Sequence, residues 1–266
     1  ATVLAQMANT DYEGSIKAHG DTVNIRTTPE LTINDYVKGQ TLTVENPDKP
    51  KLQLLIDKGK YFAAVEDDVD QVQSDIAMMD AWSKDASERM KINIDTDVLG
   101  NIATDVPAAN KGTTAGRISG DIDLGVTGTP NAMSSSAVIA EIINHGTVLD
   151  EQNTPESDRF MVIPAKMAGY IKQSDLKDAS ITGDGSSPLR NGRLGMIDRF
   201  TLYVSHNLPK FTIFSGHKVG LTFASQMTNM ETLRSETTFG DIIRGLQVYG
   251  YKVVKPEALT AGIVTL

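Results

Sequence analysis

The sequence predicts an α+β fold, in which helices and strands are mixed along the chain without a regular βαβ alternation. One apolar stripe at helical spacing runs through residues 70 to 94, and a second lies between residues 130 and 152. Short segments alternating between apolar and polar residues flank both stripes, broken by Gly, Pro, Asn and Asp. No internal repeat is found.

Taken in order, Ala1 to Ala8 read as an amphipathic helix already under way, with Val3, Leu4 and Met7 on one side. Neither an initiator Met nor a capping residue stands ahead of it, so an arm before Ala1 is expected. Thr22 to Tyr36 turns β-like through Val23, Ile25, Leu31 and Ile33. Thr41–Val44 and Leu52–Ile56 read as a second strand pair around Asn46-Pro47-Asp48-Lys49-Pro50, whose prolines predict an exposed tip. An isolated two-stranded ribbon is marginal in water, so a projecting hairpin points to packing between molecules.

Asp70 to Ile94 is the clearest helix, with Val72, Ile76, Met79, Trp82, Ala86 and Met90 on one stripe and an extension toward Ile102 and Pro107. Val106 to Gly128 is Gly-, Thr- and Asp-rich and reads as a loop and domain boundary. Thr129-Pro130 predicts an N-cap and first-turn proline. The helix that follows runs to about Gln152, with Val138, Ile142, His145 and Leu149 on one face. Beyond it come a strand at Phe160–Ile163, a helix at Ala165–Gln173 and a loop at Gly183–Gly192. Further strands are expected at Phe200–Ser205, Phe211–Phe214, Val219–Ala224 and Leu246–Val254.

Composition bounds the function. The chain has 266 residues, 40% apolar and 22% charged, which is the make-up of a folded protein of one large or two smaller domains. With no cysteine there are no disulfides, thiolate metal sites or Cys nucleophile, which fits synthesis in the cytosol. No apolar run approaches the roughly 18 residues of a membrane span. A net charge of −9 opposes tight binding of nucleic acid, which depends on clustered Lys and Arg. The charge is uneven: residues 61 to 100 hold ten acids and three bases, whereas residues 38 to 60 hold five lysines and three acids.

Chemistry is sparse. His19, His145, His206 and His217 are scattered, and His145 reads as a core histidine rather than a ligand. Ser174-x-x-Lys177 and Ser215-x-x-Lys218 match a Ser–Lys nucleophile pattern at chance frequency, without companion motifs. Asp121-x-Asp123 and Glu66-Asp67-Asp68 read as solvated carboxylates rather than a cation site. No catalytic residue, cofactor or metal ligand is assigned.

Several segments together resemble a known family. Asn9-x-Asp11-Tyr12-Glu13-Gly14 with Gly20-Asp21-Thr22-Val23-x-Ile25 is similar to the opening of tailed-bacteriophage major capsid proteins. Leu149-Asp150-Glu151-x-Asn153-x-Pro155 and Arg159-Phe160-x-Val162-x-Pro164 resemble that family's helix-to-strand passage. Gly195-x-x-Asp198-x-Phe200-x-Leu202-Tyr203-Val204-Ser205-x-Asn207-Leu208 and Gly245-Leu246-x-Val248-Tyr249-Gly250-x-Lys252-Val253-Val254-x-Pro256-Glu257 complete the pattern.

The resemblance implies the Hong Kong 97-type fold. On it, residues 1–19 would be the remnant of an N-terminal arm and 20–66 an extended hairpin loop. Residues 67–128 would be a peripheral domain with its spine helix, 129–238 an axial domain and 239–266 a return to the peripheral domain. It implies a shell subunit of the icosahedral head enclosing double-stranded DNA, assembled as pentamers and hexamers in the host cytoplasm, with no membrane. A portal and a scaffold or decoration protein would be partners, and packaged DNA would be touched only weakly. An encapsulin-like compartment is the alternative on the same fold, and a hydrolase using Ser174 or Ser215 the alternative of another class. From the uneven charge, Lys49 and Lys51 are expected to lie over Asp75, Asp80, Asp85 and Glu88 of a neighbouring copy.

Overall fold

The structure, a computed structural model, describes residues 2–11, 22–26, 31–45, 51–67, 78–174, 195–209, 211–235 and 239–266. Its elements are α1 (Leu4–Met7), β1 (Thr22–Arg26), β2 (Lys51–Leu55), β3 (Lys58–Asp67), α2 (Met78–Ile102), β4 (Asn131–Ala132), α3 (Val138–Glu151) and β5 (Arg159–Ile163). They continue with α4 (Ala165–Gln173), β6 (Met196–Ile197), β7 (Phe200–Val204), β8 (Thr212–His217), β9 (Leu221–Arg234), β10 (Gly240–Val253) and β11 (Leu259–Thr265).

A six-stranded sheet in the order β4-β11-β8-β5-β7-β6 forms one half of the structure. Its central strand β5 is buried along its whole length, and its side chains divide by the two-residue period of a strand. Phe160 and Val162 face a core shared with α1, the C-terminal half of α2 and residues Phe214, Phe223, Tyr249 and Leu259. Met161 and Ile163 face the opposite way, under Val138, Ile142 and Leu149 of α3 and Met167 and Ile171 of α4. Burial on both faces explains why Arg159-Phe160-Met161-Val162-Ile163 reads as a nearly continuous apolar run.

The other half is a three-stranded antiparallel sheet, β3-β10-β9, with α2 packed against it. Two acids of the acidic stretch are spent inside this half. Asp97 accepts from Lys58 Nζ at 2.7 Å and Tyr249 OH at 2.8 Å, tying α2 to β3 and β10. Against the upward push of partial burial, these donors hold the Asp97 carboxyl below its ordinary value. Asp95, 3% exposed, accepts from the backbone N–H of Val3 at 2.8 Å and of Leu4 at 3.4 Å. It thereby caps α1 from 92 residues away, doing what the missing capping residue would have done.

The differences from the sequence reading have local causes. α3 begins at Val138, because Thr129 closes a tight turn with Val126 and Asn131 is drawn into a parallel bridge with Val264. Helix entry is organised instead at Ser134, whose Oγ accepts from Ala137 N at 3.2 Å. Leu52–Leu55 pairs with β1 rather than with Thr41–Val44, which form no ladder. In α2 the buried stripe is Met90, Ile94, Val98, Leu99 and Ile102, whereas Trp82 is 38% exposed. Val72, Ile76 and the loop Gly183–Gly192 lie outside the described residues. β3 and β11 carry no clear alternation in sequence, and both are placed by partners far along the chain, β10 and β8.

Candidate assembly surface

β1 and β2 form a two-stranded antiparallel ribbon. Its ladder runs from Thr22↔Leu55 to Arg26↔Lys51. Farther out, Thr32 N donates to Glu45 Oε2 at 3.3 Å and Gln40 N to the Val37 carbonyl at 3.0 Å. All these pairs are symmetric in number about the Lys38–Gly39 link, although residues 31–45 themselves form no ladder. Gly39 has φ 89° at the third position of that turn, the geometry of a type II reversal. The chain therefore reverses at Lys38–Gly39, whereas Lys51 sits at the last ladder pair, not at the tip. Asn46–Pro50, with Lys49, lies outside the described residues.

Register decides which side chains share a face. At the base, Val23, Ile25, Leu52 and Leu54 lie on one side and pack on Ala224 and Val248. Gly250 permits this docking, since a Cβ there would stand 2.3 Å from the Leu55 carbonyl oxygen. In the outer part, which forms no ladder, Leu31, Ile33, Tyr36, Val37, Leu42 and Val44 are all exposed. Among the described residues none covers these side chains: Ile33 is 91% and Val44 89% exposed. Large apolar side chains exposed together in one segment mark an interaction site.

A second surface lies on the outside of α2. Trp82 and Ile92 are exposed on either side of Asp85 and Glu88. These acids already pair within the helix, Asp85 with Arg89 at 2.6 Å and Glu88 with Lys91 at 2.9 Å, as exposed pairs of small energetic weight. Asp80 stands in the first turn of α2, and Asp75 lies outside the described residues. A third surface is the open side of the three-stranded sheet, where Tyr61, Val65, Leu233 and Leu246 flank the Arg244–Glu231 pair beside a cavity of ≈ 460 Å³.

The candidate nucleophiles are not set up as such. Ser174 Oγ donates to the Ile171 carbonyl at 2.6 Å, and Lys177 lies outside the described residues. Ser215 faces inward, whereas Lys218 reaches Asp158 at 3.9 Å on the surface. Ser215 Oγ instead lies 3.0 Å from His145 Nδ1, and Thr260 Oγ1 is 2.6 Å from the same nitrogen. Beyond the ring, His145 Nε2 stands 3.8 Å from Glu141 Oε1. Serine, histidine and acid thus line up in the order of a hydrolytic triad, but these side chains are at most 4% exposed and no substrate could reach them. His206 is exposed, and His217 Nδ1 accepts from Val219 N. His19 lies outside the described residues. Asp123 accepts from Gly125 N at 2.8 Å, and among the described residues no three His, Asp or Glu side chains converge as a metal site. Among the same residues no helix is long and apolar enough to cross a membrane.

A fold of two sheets and a long helix with an uncovered apolar ribbon describes a tile, and comparison with known proteins decides which. Residues 51–262 match the family described as phage capsid protein. The chain belongs to the phage capsid protein family. A chain from a structure of Mycobacterium phage Che8 superposes with a TM-score of 0.75 at 25% identity, covering 98% of this chain and 90% of that one. A chain from the capsid of the cyanophage P-SCSP1u gives 0.72 at 15% identity, over 100% and 88%. The capsid of a native GTA particle gives 0.65 at 14% identity, over 98% and 90%. A comparison with curated protein sequences returned no match. The capsid protein has the Hong Kong 97-type fold, and its role is structural: it is a major capsid protein that self-assembles into the head shell of the virion.

Proposed function

We propose that this capsid protein builds the pentamers and hexamers of an icosahedral head around double-stranded DNA, and that its ribbon is the element by which one copy laps the next. The exposed apolar side chains of residues 31–45 carry this reading, because large apolar groups so far out of the described core are stabilised by a second molecule. The outside of the neighbour's α2 is the receiving surface, with Trp82 and Ile92 for the apolar side and Asp75, Asp80, Asp85 and Glu88 for Lys49 and Lys51. On this reading the residue ranges 1–19, 20–66, 67–128, 129–238 and 239–266 act as arm, hairpin loop, peripheral domain, axial domain and peripheral return. Assembly takes place in the host cytoplasm with a portal and a scaffold or decoration protein, and the acidic chain touches DNA only weakly.

The test is electron microscopy of purified protein carrying Ile33→Asp and Val44→Asp. The variant is expected to keep the parent's circular dichroism and to form no closed shells. Shells of normal size and yield would refute the ribbon's role.

A further inference from the structure

The junction between α3 and the six-stranded sheet holds polar groups that packing alone does not explain. His145 is fully buried and Glu141 is 4% exposed, one helical turn apart on the face of α3 that meets the sheet. Gly262 leaves room for the imidazole, since a Cβ there would lie 2.8 Å from His145 Nε2. Almost every other polar atom nearby is matched. Glu141 Oε2 accepts from Asn131 Nδ2 at 3.1 Å, and His145 Nδ1 meets the hydroxyls of Thr260 and Ser215, which also meet each other. Glu141 Oε1 and His145 Nε2 alone among these atoms lack a hydrogen-bond partner, and they stand 3.8 Å apart, about 1 Å beyond a hydrogen bond.

We propose that Glu141 and His145 hold a single proton between Oε1 and Nε2, so that α3 is docked on the sheet by a neutral acid–imidazole pair over the weakly acidic range. A carboxyl turn that closes the gap lets a protonated Glu141 donate to Nε2. The ring then carries its other hydrogen on Nδ1 and donates to Thr260 or Ser215. Both hydroxyls can rotate to donate or accept, so the pocket admits this tautomer without strain. The charges facing the pair are few. Asp123 from the preceding loop faces Glu141 and disfavours its ionisation, and the β8 and β11 residues against His145 are uncharged.

Burial acts on the two groups in opposite senses. It raises Glu141 to about 7, with Asp123 adding to the rise against the Asn131 hydrogen bond, and lowers His145 to about 3. Glu141 alone would stabilise the fold below about pH 4.3 and lose that contribution as pH rises through about 7. His145 alone would stabilise it above about pH 6.5 and lose that contribution as pH falls toward about 3. Between about pH 4.3 and 6.5 the unfolded chain carries one proton on these two groups, on histidine, and the folded chain carries one, on glutamate. The two slopes cancel, and the junction is indifferent to pH across that window.

Equilibrium unfolding of the full chain across this window tests the pair. Relative to the parent, the folding constant of Glu141→Gln should fall about tenfold for each unit of acidification, and that of His145→Gln about tenfold for each unit of alkalinisation. Parallel profiles for all three proteins would overturn the proposal. Infrared spectra of assembled parent shells give a second readout should a variant fail to fold. A protonated-carboxyl stretch should persist at about pH 6, where ordinary carboxyls are ionised, and disappear on titration through Glu141's range. Asp95→Asn shells separate out the other buried carboxyl with a raised value among the described residues. Absence of the band in the Asp95→Asn shells would also overturn the proposal.

Discussion

At the scale of the residue, the acids of this protein divide by what they touch rather than by where they fall in the sequence. Asp85 and Glu88 are exposed and paired with neighbours on their own helix, whereas Asp95 and Asp97, a few residues on, are structural. Asp95 serves two backbone donors of α1, and burial pushes its pKa up against the lowering effect of those hydrogen bonds. Asp95→Ala leaves the donors without a partner and should cost about 1–2 kcal/mol. The expected signature is faster amide exchange confined to residues 2–8, measured on the unassembled chain, with α3 and β5 unaffected. None of this was legible in a run of ten acids, because charge density along a sequence does not say which helical face meets an N-terminal segment 92 residues away. His145 was legible as a core residue from its place on an apolar stripe. Its pairing with Glu141 one turn earlier was present as an i, i+4 spacing and gained meaning only once both proved buried.

At the scale of the element, segments whose partners are near in sequence, or whose period is strong, were read well. α4 spans Ala165–Gln173 as its pattern predicts, with Pro164 just ahead of it, and the α3 face of Val138, Ile142, His145 and Leu149 is wholly buried. Where a distant strand competes with local propensity, the strand wins. Thr129-Pro130 has the chemistry of a helix start, yet Asn131 pairs with Val264 and the helix waits until Val138. The ribbon shows the same competition: Thr41–Val44 suggested a local partner for Leu52–Leu55, but β2 pairs with β1, and a separate turn is closed at Lys38–Gly39; the proline tip lies outside the described residues. The ribbon base depends on Gly250, where backbone and backbone come close. Gly250→Ala forces the Leu55 carbonyl away and should cost about 1–3 kcal/mol, read as a lower unfolding midpoint. Shells should become fewer in the same variant, since the ribbon loses its fixed angle.

At the scale of the whole molecule, the protein buries its catalytic-looking groups and leaves a set of large apolar side chains exposed. The net charge of −9 is concentrated in and before α2, and the ribbon ladder ends on Lys51. Reversing charge with Lys49→Glu and Lys51→Glu should slow assembly, more at low salt than at high salt, because exposed charges are screened within about 10 Å at 0.1 M. Light-scattering assembly curves at two salt concentrations measure this, and salt-independent, parent-like curves would remove the lysines from the contact. The two-residue period of the β1–β2 ladder bears on how such shells diversify. Adding two residues to each strand of this ladder lengthens the reach by about 7 Å and keeps Val23, Ile25, Leu52 and Leu54 on the docking side, whereas a single added residue turns that side over. Lineages can therefore change the spacing between tiles in even steps, without redesigning the body that carries the ribbon.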